Sequence, residues 1–404
     1  MKVIIVGGGL GGLACAIACR REGIDVEILE RSDQVHEVGA GIQIPPNGGR
    51  IMRDFGLLPQ LLGQGSQVQQ VDFRRYKDGR LLRSMPFGND ITEEFGVPWI
   101  IIHRVDYHRI LLDEAIRLGA VLRLGAEVED VYTEQPAVLL VDGRCISADV
   151  VIGADVPTGD MAYRATFSRE QLEALGDEKV NELCQKTAVT SWLGPEKHTI
   201  FYPIRGGKEF NLVLMQPDNL SLDSRREQGD IEEMRESYAN WDETLQKLVS
   251  CVPSGPVSLL GDACHPTLPY QAQGAAMAVE DGAVIGKLLG LLQVHYLDPR
   301  NSGSSPSISM QSSARDLTAA VLTLHEKCRK ARTTRNVQGA VMNRKLFHIP
   351  DGLLQRIRDF LLGYAGVTRK SDWTWLSSFR QGQTLSLDVL EDCQKVFEEW
   401  RLTL

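Results

Sequence analysis

Residues able to do chemistry fall in three places along this 404-residue sequence. Gly7, Gly9 and Gly12 follow the apolar run at residues 3–6 and fit G-x-G-x-x-G. In that pattern glycines permit a tight turn, let backbone amides approach a pyrophosphate, and let a helix pack close to its strand. Glu30 stands eighteen positions after Gly12 at the end of a second apolar run. A carboxylate there accepts from a ribose 2′-hydroxyl and repels a 2′-phosphate, which favours bound FAD or NAD over NADP. The second place is Gly261-Asp262, followed by Gly274-Ala275-Ala276. Asp262 can accept from hydroxyls, while Gly274 and Ala275 leave room for a flat ring against the backbone. A helix amino end aimed at that ring stabilises negative charge on a reduced flavin, and this selects FAD. The third is His198 and Tyr202, which share one face of a strand at i and i+4 and could reach one pocket.

These residues need particular elements to hold them. Residues 3–6 predict a buried parallel strand, 13–21 an alanine-rich helix capped by Gly23, and 24–29 a second strand. Residues 257–260 predict another strand, and 274–289 a long helix of small residues. Residues 187–193, 198–204 and 210–215 look like strands of a separate sheet. The alternation predicts an α/β chain: a discontinuous Rossmann-like FAD-binding domain with an inserted β-sheet substrate domain and a helical C-terminal region. The expected divisions are 1–156 and 253–345 for the dinucleotide domain, 157–252 for the substrate sheet and 346–404 for the C-terminal helices. Substrate is expected between sheet and flavin. Residues 298–313 read as a surface loop, and 314–341 as a helix with an exposed basic face. Leu390, Cys393, Phe397 and Trp400 recur at helical spacing, the pattern of core.

Composition narrows the function classes. A net charge of −9 without a Lys/Arg stripe argues against nucleic acid as a partner. No apolar run is long enough to predict a membrane span, and the apolar N-terminus is a glycine-interrupted strand rather than a signal peptide. A cytoplasmic protein is expected. The eight cysteines include no C-x-x-C pair, so neither disulfides nor zinc are expected; Cys15 and Cys19, one helical turn apart, suit buried apolar roles.

Beyond the glycine fingerprint with Glu30, five further segments carry a resemblance: residues 39–47 (GAGIQIPPN), 103–111 (HRVDYHRIL), Gly153-Ala-Asp155, 198–204 (HTIFYPI), and 261–266 (GDACHP) with Gln273-Gly-Ala-Ala276. The chain resembles the FAD-dependent aromatic hydroxylases, single-component flavoprotein monooxygenases, in their salicylate hydroxylase-like, fungal secondary-metabolite branch. The resemblance covers nearly the whole chain. It implies FAD as cofactor, NADPH or NADH as reductant, O2 as co-substrate and a small aromatic substrate. It also implies that Gly41, Arg104, Asp155 and Asp262 serve FAD, and that Arg164 and Tyr202 act on substrate. His198 is the base suited to neutral pH, with Tyr202 orienting or relaying a proton and Arg164 stabilising a phenolate or carboxylate. Epoxidation of a prenyl alkene is the alternative chemistry. The sequence departs from the family twice. After Asp155 it runs Val156-Pro157 where the family continues with glycine and a short helix, and a β-branched residue before proline disfavours a helix start. Between Val252 and Val257 it has only Pro-Ser-Gly-Pro where the family places another strand. Both gaps suggest missing coding segments. A chain that truly lacks them is expected to bind FAD weakly, or to be a flavin-fold protein without turnover.

Overall fold

The computed structural model describes residues 1–34, 41–132, 135–154, 161–195, 197–216, 235–236, 238–251, 273–297, 308–363 and 385–403; the side chains at 161–164, 215–216, 308–313, 315, 337 and 341 lie outside that description. Strand β1 (Lys2–Val6) pairs in parallel with β2 (Asp25–Leu29) on one side and β12 (Val150–Gly153) on the other, and β8 (Val121–Arg123) extends the sheet beyond β2. Val3, Ile4 and Ile5 are fully buried because both faces of β1 are covered. Val3 and Ile5 join the core under helix α1 (Leu10–Arg21). Ile4 instead packs with Val138 and Leu140 of the antiparallel sheet β9 (Val128–Tyr132), β10 (Ala137–Leu140) and β11 (Cys145–Ser147).

Helices α2 (Pro46–Asp54) and α3 (Arg104–Arg117) follow along the chain, and helix α4 (Gly274–Leu292) lies against α1 through glycines at four-residue spacing. A Cβ at Gly282 would sit 2.6 Å from the Cys15 nitrogen and the Gly11 oxygen, and one at Gly286 would meet Ala18. The backbones therefore approach as closely as glycine allows. Cys15 and Cys19 are buried in this core. Helix α7 (Val389–Arg401) closes it with Cys393 and Phe397, while Leu390 and Trp400 pack alongside, so the expected apolar stripe is core.

A second layer is a six-stranded sheet in the order β13 (Met161–Ser168), β16 (Glu209–Gln216), β15 (Lys197–Ile204), β14 (Ala188–Gly194), β5 (Gln70–Arg75), β6 (Leu81–Pro86). All neighbours are antiparallel except β14 with β5. The three strands expected from sequence form its middle. The expected domain division needs correction, since β5 and β6 come from residues assigned to the dinucleotide part. The reason is visible in β5, where Val71 and Phe73 alternate with polar residues and pack in the same core cluster as Val189 and Leu193. Val189, Leu193, Ile200, Tyr202 and Ile204 line this face; Trp192, Phe201, Phe210, Leu212 and Leu214 line the other. A small antiparallel sheet, β3 (Gly41–Ile44), β7 (Ile100–His103) and β4 (Ser66–Gln67), joins the two layers.

Helix α5 (Ile308–Phe347) runs forty residues and touches both layers, with Val321 and Leu324 in the dinucleotide core and Ala340 and Phe347 against the sheet. Two expectations are corrected here. Residues 308–313, read as loop, are helical, and the helix does not present all its basic residues to solvent. Arg329 and Arg332 are buried because Glu280 and Asp281 of α4 pair with them. Helix α6 (Leu353–Gly363) follows.

Candidate active site

The glycine turn is held from three sides. Gly7 takes a positive φ of 110°, which a side chain resists. The Glu30 carboxylate, at the end of β2, accepts from the Gly8 amide at 2.8 Å and the Ser32 amide at 3.0 Å. His108 of helix α3 (Arg104–Arg117) donates from Nε2 to the Gly8 carbonyl at 2.7 Å, a buried bond. A Cβ at Gly12 would run into the Gly7 carbonyl, whereas one at Gly9 would meet nothing within 4 Å. The turn is thus packed on its inner side and open at Gly9, where α1 begins and presents first-turn amides.

The distant second signature comes to the same place. A Cβ on Gly11 would lie 3.2 Å from the Ala278 Cβ, so Gly274 and Ala275, one turn earlier on α4, start beside the glycine turn. Helix α2 (Pro46–Asp54) braces that start. Asn47 Nδ2 donates to Gln273 Oε1 and to Glu280 Oε1, each at 2.9 Å. Arg332 and Arg329 reach Glu280 at 2.7 and 2.8 Å. Burial pushes the Glu280 carboxyl up, but the two guanidiniums and the Asn47 amide outweigh it and hold the group below its ordinary value. Asp155 and Asp262 lie outside the described residues.

The sheet meets this half at Gly41. β3 pairs with β7, setting Gly41 opposite His103, the residue before half-buried Arg104 at the start of α3. The Gly41 amide donates to Asn211 Oδ1 at 2.8 Å, and a Cβ there would sit 2.6 Å from Tyr202 Cε2. Tyr202 and Asn211 are cross-strand partners. His198 stands on the same face beyond Ile200, buried, its Nδ1 3.3 Å from Nε2 of His348. Burial, then the neighbouring His348, pushes His198 well below the ordinary histidine range. Burial, Arg344 and Arg358 lower His348 to about 4. Both rings are neutral at pH 7. The Arg164 backbone lies opposite Val213, itself opposite Ile200; its side chain is outside the described residues. Tyr202 therefore touches Gly41, while His198 sits beside His348 of the C-terminal region.

The sequence assigns no role to several residues of this arrangement: Asn47, His108 and Gln273, although they lie in segments that carry the resemblance, and Glu280, Asn211 and His348. The Glu280-Asp281 pair inside an apolar helix is a signal for buried arginine partners. Asn211 and His348 give none, since their partners are 170 and 150 positions away.

The FAD binding domain family model matches residues 1–240. An FAD-dependent monooxygenase of Beauveria bassiana, OpS4, is 35% identical, with 89% of this chain and 88% of the relative covered. The chain belongs to the FAD-dependent monooxygenases. A 3-hydroxybenzoate 6-hydroxylase of Polaromonas naphthalenivorans is 28% identical, with 96% and 98% covered. A solved salicylate hydroxylase substrate complex aligns over 98% of each chain with a TM-score of 0.70 at 20% identity, a shared fold. FAD is the cofactor of this monooxygenase family, and the residues present fit it: an open glycine turn, an acid beside it, and the small-residue start of α4. Among the described residues no group of three or more His, Cys, Asp or Glu could hold a metal ion, and no helix is long and apolar enough to cross a membrane.

Proposed function

We propose that this monooxygenase hydroxylates a small phenolic or other aromatic molecule in secondary metabolism, using O2 and either NADPH or NADH. The observation that carries this reading is the junction at Gly41, where Tyr202 and Asn211 of the sheet pack onto the strand paired with the segment entering Arg104. Bound FAD would supply the activation of O2. The chain must hold the ring, exclude water and take a hydroxyl proton so that the ring becomes more nucleophilic. His198 is the base, neutral at working pH and able to accept. Its Nδ1 lies 3.3 Å from His348 Nε2, which orients the ring, and burial lowers its basicity. Tyr202 orients the hydroxyl, and Arg164 balances a phenolate or carboxylate. Gly7, Gly9, Gly12, Glu30, Gly41, Arg104, Asp155, Asp262, Gly274 and Ala275 serve FAD. A reaction fed by NAD(P)H suits a cytoplasmic protein.

The test is the visible spectrum and NAD(P)H consumption of purified protein with a panel of phenolic acids. A yellow protein whose product formation rises with one phenol, and falls at least tenfold in His198→Gln and Tyr202→Phe, supports the reading. A rate untouched by both substitutions overturns the phenolic base and favours epoxidation of an alkene. A second reading, a variant without turnover, is favoured by the breaks after Asp155 and Val252. The alignment with the Polaromonas enzyme runs over 424 positions, more than the 404 residues here, so gaps fall in this chain. A colourless folded protein supports it.

A further inference from the structure

We propose that Asn211 is a ligand-binding residue, its side-chain amide donating from Nδ2 to an oxygen acceptor held at the junction of the sheet and the dinucleotide half. Asn211 is wholly buried. Its orientation is fixed by chemistry: the Gly41 amide at 2.8 Å is a donor and can face only Oδ1, so the other terminal atom is the NH2 group. Among the described residues that NH2 meets no acceptor. An amide donor left unpaired in a protein interior is costly, and such groups are rare in native folds. Leucine would fill similar space without that cost, although it would forfeit the bond to Gly41. On β15 the cross-strand partner of Asn211 is Tyr202, on β13 it faces Thr166, and its Cβ and Cγ would lie 2.8 and 2.9 Å from a Cβ at Gly41. The asparagine thus sits in the row of the sheet that touches the dinucleotide half, beside the tyrosine proposed to orient substrate.

The acceptor is a carbonyl, phenolate or carboxylate oxygen. It comes from the aromatic substrate or from a carbonyl of the flavin ring. The substrate assignment rests on the function proposed above; the donor role itself does not.

Two substitutions separate ligand binding from a purely structural role. Asn211→Asp keeps an oxygen for Gly41 and removes the NH2, while Asn211→Leu removes both. FAD is titrated by calorimetry into apoprotein, and phenolic acids are titrated into FAD-loaded protein by the change in flavin absorbance, without turnover. Urea midpoints check folding. If the amide binds substrate, both variants weaken the phenol at least tenfold while FAD affinity stays within twofold. If it binds the flavin, both weaken FAD or shift its absorbance bands before any phenol is added. If Asn211→Asp matches the wild type for both ligands, the proposal is overturned and the asparagine serves only Gly41. Should wild-type protein bind no phenol, the hydroxylase reading falls, and the FAD titration still decides whether Asn211 meets a ligand.

Discussion

Gly41 is where a single added carbon does the most damage. Its Cβ would need the space of Tyr202 Cε2 at 2.6 Å and of the Asn211 Cβ at 2.8 Å, both buried side chains with no room to retreat. Gly41→Ala is expected to cost about 1–3 kcal/mol, the usual penalty of overpacking, read as a lower urea midpoint, and to lower turnover by moving Tyr202. An unchanged midpoint would mean that β3 shifts freely against the sheet. The histidine pair gives a second residue-scale prediction. In the unfolded chain both imidazoles take protons near pH 6.5, as ordinary histidines do. Folded His348 resists until about 4, and His198 lies well below its ordinary value. Between those limits the unfolded state binds more protons, so stability present above pH 6.5 declines as pH falls toward 4. Urea midpoints from pH 7 to 4.5 should show that decline, and His198→Phe with His348→Phe should flatten it. Equal slopes for variant and wild type would remove the pair as its cause.

At the scale of elements, α4 is the piece on which the site turns, and Glu280 holds it. That carboxylate gathers Arg329, Arg332 and Asn47 from α5 and α2 in full burial. Glu280→Gln keeps the shape and removes the charge, leaving two buried guanidiniums poorly matched. A loss of about 3–5 kcal/mol follows from breaking a buried pair at one partner, measured by urea unfolding. A loss below about 1 kcal/mol, the range of an exposed pair, would mean the cluster is solvated. The same elements mark what sequence could and could not deliver. Glycine spacing, apolar runs and the acid at position 30 are local signals, and they sufficed for the strand, helix and strand that open the fold. The three middle strands of the sheet were equally legible as short local runs. Strands β5 and β6 were not, because only a parallel pairing with β14, over a hundred residues on, assigns them to that sheet. Arg329 and Arg332 read as surface charges, since their burial depends on Glu280 and Asp281 in another helix. Asn211 and His348 belong to the same class: their meaning comes from a neighbour in space.

Across the whole molecule, the two layers meet through β3 and α5, while the family resemblance implies amides and an arginine serving FAD after Asp155 and a further strand after Val252, the two places where this sequence departs from the family pattern. On the proposal that those segments are missing, Glu30, the glycine turn and the start of α4 remain to serve FAD, and the amides and arginine that the resemblance implies after Asp155 are absent. One charge-assisted hydrogen bond contributes about 1.5–3 kcal/mol, which corresponds to roughly tenfold to more than a hundredfold in Kd. This chain is therefore expected to bind FAD at least tenfold more weakly than a version carrying the family's segments at both breaks. Calorimetric titration of apoprotein, with urea midpoints for both forms, separates grip from folding. If the restored chain folds no better and binds FAD with the same Kd, the shortened segments are dispensable and the form without turnover loses its support. If the short form takes up no FAD while the restored form turns yellow, the breaks account for the loss, and the glycine turn with Glu30 is insufficient to hold the cofactor alone.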